Sequence, residues 1–292
     1  MYKHRITVFT PTYNRAYIIG NLYESLKRQS FTDFEWLVVD DGSSDNTKEL
    51  FDKWMQEDNS FEIRYVYKPN GGKHRAINKG LELANGELFF TVDSDDYLTD
   101  DALEKIISWE KNLPKDKKYC GLAGNLGTSA TETPNRIFDA EYIDGTALNR
   151  YDTVDGERAM VFYTEVHRKY VYPVFENEIF MTEAVAWNRM ANDGYFIRFF
   201  NDIIWIYEYM SDGLTKAGKS IFVNNPMGYG IWLREKAKFE KRSIIYKLKM
   251  MYTYANDLSE VHSPKIISKS IGAPLWLIKF YQRAHRLKNK LK

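Results

Sequence analysis

The chain has one cysteine, Cys120, among 292 residues, which excludes an internal disulfide. Long apolar runs are missing as well. The best candidate, Ile271 to Ile278, is interrupted by Gly272 and Pro274, far short of the roughly 18 residues that a membrane-crossing helix needs. The opening Met1-Tyr2-Lys3-His4-Arg5 carries no apolar signal segment. These absences lead to the expectation of a cytoplasmic protein, at most peripheral on the inner face of the membrane. No internal repeat and no low-complexity segment occurs. The first βα turn lacks the G-x-G-x-x-G fingerprint, and no Walker loop follows, so a glycine cradle for phosphate at a helix N-terminus is excluded.

What is present is a core and an uneven charge. The sequence is 44% hydrophobic and 15% aromatic, ample for a folded interior. Its net charge of +1 hides a division: residues 216–292 hold 17 of the 41 Lys and Arg but 4 of the 40 Asp and Glu, about +13 against about −12 for the rest. Trp232, Phe239, Tyr246, Trp276, Phe280 and Tyr281 are interleaved with the tail's cations. That combination suits an anionic membrane surface, at roughly 1 kcal/mol per cation near it. A helical tail whose apolar side packs on protein, in the same chain or in a homo-oligomer, with its lysines solvated, fits the same pattern. Nucleic acid competes for such charge but is not the expected partner.

Through the first half, β-rich runs alternate with helix-period segments: Ile6 to Thr10 then Tyr17 to Arg28, Glu35 to Val39 then Thr47 to Glu57, Ile63 to Tyr67 then His74 to Ala84, Leu88 to Val92 then Ala102 to Lys111. Such a βαβ series predicts an α/β fold with a mostly parallel sheet, right-handed crossovers and flanking helices. Beyond about residue 115 the alternation decays into Gly121, Gly124, Gly127 and a polar loop over 128–135. A helix is expected over 181–192, strands over Tyr195 to Phe200 and Ile203 to Tyr207, and amphipathic helices from about 228, after a boundary at Asn225-Pro226. The expected organisation is a main domain over 1–225, with halves at 1–112 and 113–225, and a basic helical region over 226–292.

Open parallel sheets bind ligands beyond the carboxyl ends of their strands. Those ends here carry Pro11-Thr12-Tyr13-Asn14-Arg15, Asp40-Asp41-Gly42-Ser43-Ser44-Asp45, Lys68-Pro69-Asn70-Gly71-Gly72-Lys73 and Asp93-Ser94-Asp95-Asp96. Each alone reads equally as turn or cap chemistry. Crowded carboxylates such as Asp93 and Asp95 raise one another's pKa unless a cation neutralises them, and an oxygen-only donor set suits Mg²⁺ or Mn²⁺. A nucleotide diphosphate would be met by that ion together with Lys73 and Arg15. Asp41 would accept hydrogen bonds from a base or ribose, and Tyr13 offers a ring face. His74, just beyond Lys73, reads as a phosphate contact or as a plain helix-start residue.

Taken together and in order, Pro11-x-Tyr13-Asn14, Asp40-Asp41-Gly42-Ser43-x-Asp45, Asn70-x-Gly72 and Asp93-x-Asp95-Asp96 resemble the family 2 glycosyltransferases of the GT-A fold over residues 5–112. The resemblance implies inverting transfer of a sugar from a nucleotide-sugar, commonly UDP-linked, with Mn²⁺ or Mg²⁺ on Asp95 and Asp93. The acceptor would be a glycan or lipid-linked, as in cell-surface polysaccharide synthesis. It further implies that Pro11, Tyr13, Asn14, Arg15, Asp41, Gly72, Lys73, Asp93, Ser94 and Asp95 contact the donor. The family's base is often the Asp of a Glu-Asp pair followed by Trp and Arg. Thr182-Glu183-Ala184-Val185-Ala186-Trp187-Asn188-Arg189 fits that spacing with Glu183 in the base position, while Glu replaces Asp and Thr182 replaces the preceding Glu. Glu178 and Glu176 are its rivals. A histidine expected near Ser211 to Thr215 is replaced by Met210, and Asp212-Gly213 reads as part of a loop over the diphosphate. The altered base motif leaves open a catalytically silent nucleotide-sugar-binding relative, acting as a sensor or partner subunit. A nucleotidyltransferase would need a Gly-rich basic loop that Thr10 to Arg15 lacks.

Overall fold

A computed structural model describes residues 2–150, 153–208 and 218–290. The segment from Met210 to Thr215, with its expected loop over the diphosphate, lies outside the described residues. The chain divides into two compact units, one drawn from residues 1–171 and 190–210, the other from 172–189 and 211–292.

The first unit is organised by β1 (His4–Thr12), α1 (Gly20–Lys27), β2 (Phe34–Asp40), α2 (Thr47–Trp54), β3 (Glu62–Tyr67), α3 (Lys73–Leu83) and β4 (Gly86–Thr91). β1 pairs in parallel with β2 and β4, and β2 with β3. Every residue of β2 is buried, as expected of a central strand covered on both faces. One face packs Ile6, Val8, Trp36, Val38, Leu88 and Phe90 against Leu22, Tyr23 and Leu26 of α1 and Phe51 and Trp54 of α2. Buried Glu35, at the amino-terminal end of the sheet, is satisfied by Thr7 Oγ1 at 2.6 Å, Arg64 at 2.6 Å and the Asn85 N–H at 2.5 Å.

Beyond β4 the sheet becomes mixed. β5 (Tyr97–Leu98), α4 (Ala102–Lys111), β6 (Tyr119–Gly127), β7 (Tyr142–Gly145), β8 (Arg158–Tyr163), α5 (Thr164–His167) and β9 (Phe196–Ile206) extend it to the order β3-β2-β1-β4-β8-β6-β9-β5, with β7 on β9. β8 runs antiparallel to both β4 and β6. The stretch read from sequence as decaying into glycines is β6, nine residues all buried. At Gly121 a Cβ would lie 1.9 Å from the Val161 carbonyl oxygen, so glycine there permits a close strand approach. The two strands expected over 195–207 are one strand, β9, whose pairing with β6 shifts register between Ala123 and Asn125, as at a bulge. Arg198 on β9 is buried and holds Asp144 of β7 at 2.8 Å and the Tyr119 hydroxyl of β6 at 3.0 Å. That bidentate cation draws the Asp144 carboxyl down to about 2 despite burial.

In the second unit, α6 (Ala184–Asn192) begins, and α7 (Lys219–Val223), α8 (Pro226–Phe239), α9 (Ile244–Asp257), α10 (Pro264–Ile271) and α11 (Leu275–Lys290) follow. Ser243 and Ser263 cap α9 and α10, accepting from the N–H of Tyr246 and Ile266. α10 starts on Pro264 and stops at Gly272 in the left-handed conformation. A separate small core of Tyr254, Ala255, Leu258, Ile267, Ile271 and Ile278 holds these helices. Inside it the Tyr254 hydroxyl meets the Pro226 carbonyl at 2.7 Å and Ser270 Oγ at 2.6 Å. Among the described residues no helix is long and apolar enough to cross a membrane.

Candidate functional site

Strand order decides where the unusual polar residues meet. Because β3, β2, β1 and β4 are neighbours and parallel, their carboxyl ends leave the sheet side by side. The four loops that follow them then brace one another.

The first and second loops are stitched by side chain to backbone bonds. Asn14 N–H donates to Ser43 Oγ at 2.8 Å, Ser44 N–H donates to Asn14 Oδ1 at 2.8 Å, and Ala16 N–H donates to Asp45 at 3.0 Å. Asn14 takes a left-handed backbone, φ 51°, a conformation that asparagine tolerates better than most residues. Asp40 receives the Ser43 N–H at 2.7 Å and the Tyr65 hydroxyl from β3.

The second and third loops meet at Asp41. Its carboxylate is buried and accepts from the Gly71 N–H at 3.0 Å, the Gly72 N–H at 2.6 Å and the Lys68 ammonium. Gly42 beside it has φ 90°, and a Cβ there would lie 2.7 Å from the Asn70 nitrogen. The loops can therefore close only on glycine. Asp41, expected to face a base or ribose, has its oxygens committed to the loop that ends in Gly72 and Lys73.

Lys73 joins the third loop to the fourth, its ammonium 2.7 Å from Asp93. Asp95 is partly buried, and its carboxyl is raised above the usual range by burial first and by the Asp93 charge second, while Arg15 and Lys73 pull the other way. Arg15, Lys73 and Asp93 thus each act electrostatically on Asp95, and Lys73 pairs with Asp93. Ser94 between the two acids is buried. Pro11 is buried at the end of β1, and Tyr13 is 48% exposed with its ring open to solvent. Asp96 departs from its neighbours. It accepts from the Trp205 indole N–H at 2.8 Å and from the Glu208 N–H at 3.3 Å. Burial and the adjacent Asp93 push it up to about 8. That bond ties the fourth loop to the end of β9, and nothing in the local sequence signals it, since the partners are 109 residues apart.

His74 is buried at the start of α3, its Nδ1 without a hydrogen-bond partner among the described residues. Desolvation, then the neighbouring Arg75 charge, draws it down to about 4. It is neutral at physiological pH.

Among the described residues, no group of three His, Cys, Asp or Glu side chains is arranged to hold a metal by itself. Asp93 and Asp95 are two oxygen donors with like charges close enough to raise Asp95. Such a pair suits a hard divalent cation that completes its shell with ligand oxygens and water, and does not suit a cage made of protein alone.

The second unit separates the three acids considered as bases. Glu178 is buried, and its two oxygens take the N–H groups of Met227 at 2.6 Å and Gly228 at 2.9 Å, closing the first turn of α8. Burial raises its pKa even against those bonds. Glu176 is exposed. Glu183 is partly buried immediately before α6, its carbonyl accepting the Ala186 N–H at 3.1 Å, and its charge reaches buried Tyr172. Arg189, two residues after Trp187, forms a bidentate pair with Glu235 at 2.8 Å for both bonds.

Comparison with known proteins follows the same stretch. The model of the family described as Glycosyl transferase family 2 matches residues 7–180. The GalNAc(5)-diNAcBac-PP-undecaprenol beta-1,3-glucosyltransferase of Campylobacter jejuni is 34% identical over 189 residues, covering 63% of this chain and 58% of that protein. Crystal structures with the same fold include S. aureus TarS 1-349 in complex with UDP-GlcNAc, with TM-score 0.61 and 16% identity over 97% of this chain and 92% of that one. The mannosyltransferase PcManGT from Pyrobaculum calidifontis, in complex with GDP-Man and Mn²⁺, aligns with TM-score 0.56 and 17% identity over 98% and 81%. Several other curated relatives are matched over only a third to under a half of their own length.

Proposed function

The chain belongs to glycosyl transferase family 2, and from that premise we propose that it transfers a sugar from a nucleotide-sugar, UDP-linked in the first instance, to a glycan or lipid-linked acceptor with inversion at the anomeric carbon. The observation that carries this reading is the mutual bracing of four strand-end loops, which gathers Arg15, Lys73, Asp93 and Asp95 into one electrostatic cluster. Relatives support the substrate classes: TarS was crystallised with UDP-GlcNAc, and the Campylobacter relative is named for a polyprenyl-linked acceptor.

Pro11 and the exposed Tyr13 ring frame the nucleoside, with Asn14 fixing the turn that presents them. Asp41 contributes through the loop it pins, holding Gly72 and Lys73 at the diphosphate. Lys73 and Arg15 offset phosphate charge. Asp93 and Asp95, with Ser94 between them, would hold a Mn²⁺ or Mg²⁺ ion, which when bound stabilises the negative charge of a departing diphosphate. Glu183 takes the proton of the acceptor hydroxyl as that oxygen attacks the anomeric carbon, the role its spacing to Trp187 and Arg189 supports. Glu178 is unsuited because both of its oxygens are occupied by the helix it caps.

A panel of nucleotide-sugars, screened for Mn²⁺-dependent release of the nucleoside diphosphate, tests the reading, since slow attack by water reports the donor before an acceptor is known. The expected outcome is release from one donor, and a rise in melting temperature with UDP and Mn²⁺ that chelator reverses. Absence of both with every nucleoside diphosphate would overturn it.

A further inference from the structure

One helix of the second unit leaves an amphipathic face uncovered. α11 turns Ile278, Tyr281 and Gln282 inward, all buried, and Tyr281 meets the Tyr252 ring of α9 edge-on with centroids 5.5 Å apart. At about 100° per residue, Trp276, Phe280, Arg283 and Leu287 fall together on the opposite side. They are exposed there: Trp276 69%, Phe280 60% and Leu287 63%. Lys279 and Arg286, also exposed, run along one edge of the stripe. α9 opens with the same mixture, since Ile244 and Ile245 are exposed beside Lys241 and Arg242.

Charge decides what covers this face. After Glu260 the chain contains eight Lys or Arg and no acidic residue, so a second copy meeting it through the same face would set like charge against like charge. Large rings beside cations with long apolar stems match the boundary of an anionic bilayer, where rings sit at headgroup depth and cations reach the phosphates. No described helix is long and apolar enough to cross a membrane. We propose that the exposed stripe of α11 docks the second unit onto an anionic lipid surface, with the helix lying in the plane of the interface. The proposal does not rest on the donor-site reading.

Flotation with phosphatidylcholine vesicles, with and without phosphatidylglycerol, tests it on the full chain. Binding is expected only to the anionic vesicles and weakens as salt rises. Trp276→Ser with Phe280→Ser, and separately Lys279→Glu with Arg283→Glu, should each lower it by about tenfold or more. Melting temperature and vesicle-free nucleotide-sugar hydrolysis should stay unchanged, which keeps this test separate from that of catalysis. Failure of the unsubstituted chain to float, equal flotation of both variants, or equal binding to uncharged vesicles would overturn the proposal. So would concentration-dependent self-association that the Trp276→Ser, Phe280→Ser variant abolishes, which would assign the stripe to a second copy.

Discussion

Carboxylates serve different ends in the two units. In the first, Asp41 and Asp45 fold loops onto one another by accepting backbone N–H groups from neighbouring strand ends, and Asp40 closes its own turn on the Ser43 N–H. Asp93 and Asp95 are left facing Lys73 and Arg15. In the second, Glu178 closes a helix start and Glu235 clamps Arg189. A carboxylate spent on backbone donors holds shape. One balanced only by long flexible cations can exchange them for a ligand. The comparison marks Asp40, Asp41, Asp45 and Glu178 as scaffold, and the roles proposed for Asp93, Asp95 and Glu183 are what the following substitutions test.

The sharpest way to break that separation is Asp95→Ala. Metal-dependent turnover should fall by about a thousandfold, the scale of losing a group that stabilises transition-state charge, while the melting temperature without ligand holds or rises. Unchanged turnover would move Asp95 to the scaffold. Glu183→Gln comes next: transfer should drop by about 10²- to 10⁴-fold with donor affinity intact by calorimetry, and full activity would place the base elsewhere.

Scaffold substitutions should act on stability instead. Asp144→Asn should cost about 1–3 kcal/mol at pH 7, because a charged, bidentate hydrogen bond is lost around buried Arg198. Its folded pKa lies below the ordinary value of an aspartate, at about 2. The stabilisation is then fully present above that unfolded value and disappears as pH falls through the folded one. Urea unfolding of both proteins at neutral and at acid pH should show the gap narrowing below about pH 4; a constant gap would assign the cost to packing. Glu178→Gln is the mildest, at about 1 kcal/mol by the same measurement, because an amide oxygen still accepts one helix N–H. If it abolished transfer with stability unchanged, the division between caps and chemistry in the second unit would be wrong.

The first half was legible because its signals are local. Unbroken runs such as Trp36-Leu37-Val38-Val39 declare strands buried on both faces, and parallel neighbours must send their ends to one side, so clustering of the four loops followed from pattern alone. β6 was not legible, because its glycines read as a loss of the strand–helix alternation along the chain and as close strand contact in three dimensions. Nor was the tie between Asp96 and Trp205, which depends on where β9 returns to the sheet.

By itself the sequence determined the βαβ series, the loop chemistry at the strand ends and the opposed charge of the tail, since each depends on residues within a few positions of one another. Only the tertiary structure decided which acids are consumed as braces and caps, and which face of α11 is left bare. Those outcomes depend on which distant backbone N–H groups and side chains come within reach, and that is set by strand order and helix packing rather than by any local run of residues.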